Sequence, residues 1–181
     1  MDNDIPLKVG GDQYDRKMQY HRWLDFPLED PALKEELLCI KDQDEEIFDR
    51  FYQELAFGTA GLRGVLGAGT NRMNIYTVRK ATQGMADYLN EKYPQSSIAI
   101  SYDSRINSRL FAEETARVMA ANGITAYLYD QLMPTPALSF AVRDLKCQAG
   151  VMVTPATIPL NTTAKAYGPD GCQMTDEAAA C

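Results

Sequence analysis

In the second half of the chain, short apolar runs alternate with amphipathic stretches of helical period. Residues 97–101 (SIAIS), 124–129 and 148–154 read as strands. Between the first two, Asn107 or Ser108 can cap a helix that carries Phe111, Thr115, Val118 and Met119 on one face and stops at Gly123. Between the second and third, Met133-Pro134-Thr135-Pro136 leads into a short helix through Leu138 and Val142. Ahead of them, Ile75, Val78, Thr82, Met85 and Leu89 share a helical face that Pro94 terminates. Strand-helix-strand-helix-strand with short links predicts an α/β fold. Its sheet should be mostly parallel, and the helix over 108–122 should cover one face.

The first 53 residues follow another pattern. Trp23, Leu24, Leu33, Leu37, Leu38 and Ile40 recur at helical spacing, Pro27 and Pro31 interrupt it, and Ile47, Phe48, Phe51 and Tyr52 resume it after a new start near Asp42. The division is therefore a helical arm over 1–53 and an α/β domain over 54–181. At their junction, residues 56–73 (AFGTAGLRGVLGAGTNRM) are too rich in glycine for a helix or a regular strand.

Charge and composition narrow the function. A net charge of −7 argues against non-specific nucleic-acid binding. No apolar run approaches the roughly 20 residues of a membrane span, and the acidic, polar start has no signal-peptide core. These features predict a cytoplasmic protein with neither nucleic acid nor membrane as partner. Cys39, Cys147, Cys172 and Cys181 form no CxxC pair and the chain has one histidine, so they read as reduced thiols rather than zinc ligands. That histidine, His21, falls in the helical arm and reads as a surface or packing residue.

Three loops should leave carboxyl ends of strands and converge on one crevice: Asp103-Ser104-Arg105, Pro134-Thr135-Pro136, and the segment after Thr154. Arg63, between Gly61 and Gly64, could meet an anion with both its guanidinium and the nearby backbone. Taken singly, each has a plainer reading. Dense glycines mark tight turns, Asp103 and Arg105 can pair to hold a turn, and Thr135 between prolines makes a rigid corner.

In this order, FGTAGLRGVLGAGTNRMNIYTVRKATQG, YDSR, MPTPALSFAVR, GVMVT and YGPDGCQMT resemble the α-D-phosphohexomutase superfamily, nearest its phosphoglucomutase–phosphopentomutase branch. The resemblance covers about residues 14 to 180 and corresponds to that family's first domain, a three-layer α/β/α unit. It implies a phosphotransferase that interconverts sugar 1- and 6-phosphates, or pentose 1- and 5-phosphates. A phosphoserine passes its phosphate to one sugar oxygen and recovers one from the other. It further implies Mg²⁺, glucose 1,6-bisphosphate, sugar phosphates as partners, and later domains that lie outside this chain. By the same resemblance Arg63 stands near the phosphoserine, Lys165 assists proton transfer, and Thr59, Gly61, Asp103 and Arg105 join Arg63 in binding phosphate or substrate.

The resemblance fails at the nucleophile. Where the family has Thr-Ala-Ser-His-Asn-Pro, this chain has Thr154-Pro155-Ala156-Thr157-Ile158-Pro159. The serine position is Ala156, the histidine position is Thr157, and the match resumes at Lys165 one residue short. A shifted reading frame accounts for it. Back-translating Ala-Ser-His-Asn-Pro-Ala-Lys-Tyr-Asn-Gly-Tyr-Lys and dropping the first base reads Pro-Ala-Thr-Ile-Pro-Leu-Asn-Thr-Thr-Ala, which is residues 155–164 in order. Dropping two more bases restores Lys165. The alternative is a non-catalytic fragment or pseudoenzyme that changed residue by residue and at most binds phosphate weakly. Either way the chain is expected to be inactive. Residues 155–164 are expected to form irregular, largely exposed backbone, or to be poorly ordered.

Overall fold

Where the chain must return beside its last strand within a few residues, only antiparallel pairing is open to it. This shapes half of the sheet. The computed structural model describes residues 16–58, 61–155 and 161–174. Among these residues, six helices, α1 (Arg16–Asp25), α2 (Pro31–Cys39), α3 (Asp44–Phe51), α4 (Ile75–Lys92), α5 (Ser108–Ala121) and α6 (Thr135–Asp144), accompany six strands, β1 (Phe57–Gly58), β2 (Gly61–Val65), β3 (Ser97–Tyr102), β4 (Thr125–Leu128), β5 (Ala149–Pro155) and β6 (Asn161–Tyr167).

The sheet runs β1-β2-β6-β5-β3-β4. As predicted, the three strands read from apolar runs are parallel neighbours: β3 pairs with β4 and with β5. The other three pairings, β5–β6, β6–β2 and β2–β1, are antiparallel. The sheet is therefore mixed, and the expectation of a mostly parallel one holds for only half of it.

Residues 155–164 need a second correction. Pro155 closes β5, and Asn161 to Ala164 open β6, hydrogen-bonded between β5 and β2. Residues 156–160 lie outside the described residues. Threonine favours extended backbone and a ladder is made by main-chain groups, so this threonine-rich stretch completes the strand.

Side-chain alternation splits the core into layers. Ile98, Ile100, Val151 and Val153 face α4 and α5, together with Val78, Leu89, Phe111 and Met119. Ala99 and Met152 face the other way, against Leu138 and Val142 of α6. Each such fully buried side chain contributes roughly 1.5–3 kcal/mol. The result is a three-layer α/β/α arrangement.

The arm has a core of its own. Tyr20, Leu33, Leu37, Ile40, Ile47 and Phe51 pack with Ala68 of the glycine-rich segment, whereas Leu38, Phe48 and Tyr52 stay exposed. Arg79 of α4 fastens the arm to the domain: it grips Glu29 with two hydrogen bonds of 2.6 and 2.8 Å and reaches Glu114 of α5 at 2.6 Å. The Glu114 carboxylate is buried, and Arg117 is its second partner. Removing either arginine would leave that charge poorly compensated, and unpaired buried charges are costly.

Candidate functional site

The carboxyl ends of β3 and β5 are tied together by a single side chain. Asp103, the residue after β3, accepts a 2.7 Å hydrogen bond at Oδ2 from the hydroxyl of Thr154. Its Oδ1 accepts from the Ser108 hydroxyl at 2.9 Å and from the Arg105 backbone N–H at 3.2 Å. The Arg105 guanidinium stands 3.6 Å from Oδ2, and the Asp103 N–H donates to the Val153 carbonyl at 3.3 Å. Asn107, one of two expected caps for α5, sits at φ 64° and makes no side-chain cap bond. Ser108 instead turns its hydroxyl back to Asp103, which anchors the start of the helix.

The third loop joins the same end. Met133 N–H donates to the Tyr102 carbonyl at 3.2 Å, and the Met133 carbonyl accepts from the Ser101 hydroxyl at 3.3 Å. Thr135 is already the first residue of α6. Its side chain reaches Tyr167, whose phenol burial pushes above the ordinary value, with the Thr135 bond acting against that shift. Thr135 is thus occupied in packing.

The antiparallel half brings the two predicted cations to this end. Arg63 lies opposite Thr163, and Thr163 lies opposite Thr154, so Arg63 and Thr154 share one row across three strands. Two strand spacings put their backbones about 10 Å apart. Lys165 is two residues beyond Thr163, which places it on the same face as Arg63 and diagonal to it, at about 7–8 Å. Arg63 is exposed and Lys165 half-buried, and neither has an ion pair or side-chain hydrogen bond with a described residue. Gly61 makes this approach possible. It adopts φ +89°, and a Cβ there would lie 2.0 Å from the Ala164 carbonyl oxygen. Thr59, Ala156 and Thr157 lie outside the described residues.

The rest of the glycine-rich segment does other work. The Ala68 N–H donates to Glu36 at 2.9 Å, and Arg50 bonds both Glu36 and the Ala68 carbonyl. Asn74 caps α4 with bonds to the N–H groups of Tyr76 and Thr77, and its amide holds the Gly67 and Gly69 carbonyls at 2.8 and 3.0 Å. Residues 67–74 therefore lock the arm to α4, away from the Arg63 face. Sequence reasoning missed this lock and the Asp103–Thr154 bond, because each joins residues far apart in the chain.

A cavity of about 680 Å³ opens on the opposite face of the sheet, between α1 and α4, lined by Trp23, Phe26, Leu62, Tyr76 and Met85. Leu62 alternates with Arg63, so the cavity and the cations sit on opposite sides of one strand. The cavity is largely apolar; Arg22 and Lys80 also line it, and Lys80 is paired with Glu54. His21 is exposed on α1 and stacks edge-on with Tyr20, a packing role as expected. Among the described residues no three His, Cys, Asp or Glu side chains are grouped to hold a metal ion, and both oxygens of Asp103 are engaged. The described residues do not fit Mg²⁺, and among them no helix is long and apolar enough to cross a membrane.

Comparison with known proteins agrees with this architecture. Residues 54–180 match the family model "Phosphoglucomutase/phosphomannomutase, alpha/beta/alpha domain I". A phosphoglucomutase of Staphylococcus saprophyticus is 44% identical over 136 residues, which are 75% of this chain and 25% of that protein. One from Staphylococcus aureus is 44% identical over 131 residues, 72% of this chain and 24% of that protein. A solved structure assigned as a phosphomannomutase of Thermus thermophilus superposes with a TM-score of 0.64 at 28% identity, covering 71% of this chain and 29% of that one. The chain thus spans about a quarter of the length of the curated relatives it matches.

Proposed function

Because the chain belongs to the phosphoglucomutase/phosphomannomutase family, through that family's α/β/α domain I, we propose that it derives from a cytoplasmic phosphotransferase that interconverts sugar 1- and 6-phosphates, or pentose 1- and 5-phosphates, through a phosphoserine. The observation that carries this reading is the shared face of Arg63, Lys165 and Thr154 at the carboxyl end of β5. A planar guanidinium and a mobile ammonium there can hold a phosphoryl group by fork and point charge. Arg105, placed beside Thr154 through Asp103, supplies a third positive group. Such pre-set charge is the main protein contribution to phosphoryl transfer.

The nucleophile is what the chain lacks. Ala156 has no oxygen to carry phosphate. Thr154 has a hydroxyl, but its proton is donated to Asp103, and it lies two residues from the required position. A shift of one residue along a strand is about 3.3 Å, and misplacements near 1 Å already cost about a hundredfold. We read residues 155–164 as the product of a compensated frame shift, supported by the base-by-base fit of ten residues and the resumption of the family pattern at Lys165. Mg²⁺ and glucose 1,6-bisphosphate belong to the full-length enzyme, whose remaining domains would supply the metal's carboxylates and the sugar contacts. This chain by itself is a non-catalytic piece with a phosphate-holding face.

The test is to sequence the gene through codons 150–170 and past 181, repair the frame, and express the full-length product. With Mg²⁺ and glucose 1,6-bisphosphate it should interconvert glucose 1- and 6-phosphate. A repaired full-length protein inert on every hexose and pentose phosphate would overturn the assignment.

A further inference from the structure

Asp103 stands among the cationic residues of the proposed phosphate site, yet its own chemistry is wrong for an anion ligand. Its carboxylate is largely covered, with 24% of the side chain exposed. A carboxylate offers about four lone-pair sites. Three are taken by Thr154, Ser108 and the Arg105 N–H, and the guanidinium of Arg105 faces the fourth. A phosphate oxygen would be repelled by the carboxylate itself, and a sugar hydroxyl would find no free acceptor on it.

We infer that Asp103 is a positioning residue: it touches neither phosphate nor sugar, but fixes Thr154 and Arg105 relative to each other and so sets the spacing of the phosphate site. The geometry is that of a tether. One carboxylate binds the end of β5 through Thr154, the start of α5 through Ser108, and the loop between them through the Arg105 main chain. Its backbone N–H adds a bond to Val153. Thr154 is the last residue but one before position 156, so whatever occupies that position takes its starting point from this bond.

This inference rests on the proposed phosphate-holding face, and the experiment separates the two. Inorganic phosphate is titrated calorimetrically into the 181-residue chain and into Asp103→Asn, Thr154→Val, the double variant and Arg63→Gln. Asp103→Asn removes a negative charge beside the anion, so an uninvolved Asp103 predicts tighter binding. A tether predicts the opposite sign: about tenfold weaker binding for Asp103→Asn and for Thr154→Val, with the double variant no weaker than either, because both cut one connection. Arg63→Gln should abolish binding. Phosphate affinity unchanged or improved in Asp103→Asn, or multiplying effects in the double variant, would overturn the tether.

Amide hydrogen exchange gives a reading that needs no ligand. Thr154→Val leaves the Arg105 N–H untouched, so faster exchange at Arg105 in that variant reports a carboxylate that has lost its place. Unchanged exchange there overturns the inference even if phosphate binds. A wild-type chain that does not bind phosphate would sink the phosphate-site reading, and the Arg105 exchange result would then decide the tether alone.

Discussion

The glycine-rich segment contains two regions that look alike in sequence and behave differently in space. Around Gly61 and Arg63 the backbone is drawn tight against β6, and among the described residues the arginine has no ion-pair or side-chain hydrogen-bond partner on the face of Thr154 and Lys165. Around Gly67 and Gly69 the backbone is drawn tight against the arm, and the neighbouring polar groups are consumed by Glu36, Arg50 and Asn74. Both regions need glycine for close approach. Only the first leaves a charge with no partner among the described residues, as the proposed phosphate face requires.

Substitutions on the two sides should divide accordingly. The largest stability loss is expected for Gly61→Ala, whose Cβ would sit 2.0 Å from a backbone oxygen at φ +89°. Separating β2 from β6 should cost about 3 kcal/mol in denaturant unfolding and should abolish phosphate binding as well. Gly69→Ala meets the Arg50 carbonyl at 2.6 Å at φ +131°. It should cost about 2 kcal/mol and leave phosphate affinity intact, because the damage is confined to the arm joint. Arg63→Gln inverts that pattern. An exposed side chain without a described partner should change stability by less than about 0.5 kcal/mol while phosphate affinity is lost. If Arg63→Gln destabilises like Gly69→Ala, the two regions are not distinct in kind.

The smallest effect concerns Cys147, far from both regions. Burial pushes its thiol above the ordinary value, with a hydrogen bond from Ser97 acting against that. The unfolded chain then ionises first as pH rises. Stability present below the ordinary thiol range should decline as pH climbs through it, and a Cys147→Ala variant should decline less. In a thiol-labelling time course, Cys39 and Cys172, both exposed, should react well before Cys147.

The parallel half of the fold was legible because its signals are local. The runs at Ile98–Ile100 and Val151–Val153 are apolar on both faces, as strands between two helix layers must be. Helix α4 announces itself by the spacing of Ile75, Val78, Thr82 and Leu89. The antiparallel half was not legible, since Leu62 pairs with Ala164 across a hundred residues and neither Gly61–Val65 nor Asn161–Tyr167 has the apolar weight of a buried strand. Asn107 is a good cap by residue type, yet it adopts a left-handed conformation and Ser108 is spent on Asp103. At the site, residue chemistry identified Arg63 and Asp103 as candidates. Their different circumstances, one without a partner among the described residues and one saturated, arise from contacts that no local pattern encodes.

The central claim is that this chain keeps a family phosphate-holding face while the position of its nucleophile, Ala156, cannot carry phosphate. It is tested most directly by incubating the purified 181-residue chain with glucose 1,6-bisphosphate and Mg²⁺ and recording its intact mass. The mass should stay that of the unmodified chain, and glucose 1-phosphate should not be converted. A stable phosphate on Thr154 or Thr157, or any turnover, would contradict the account.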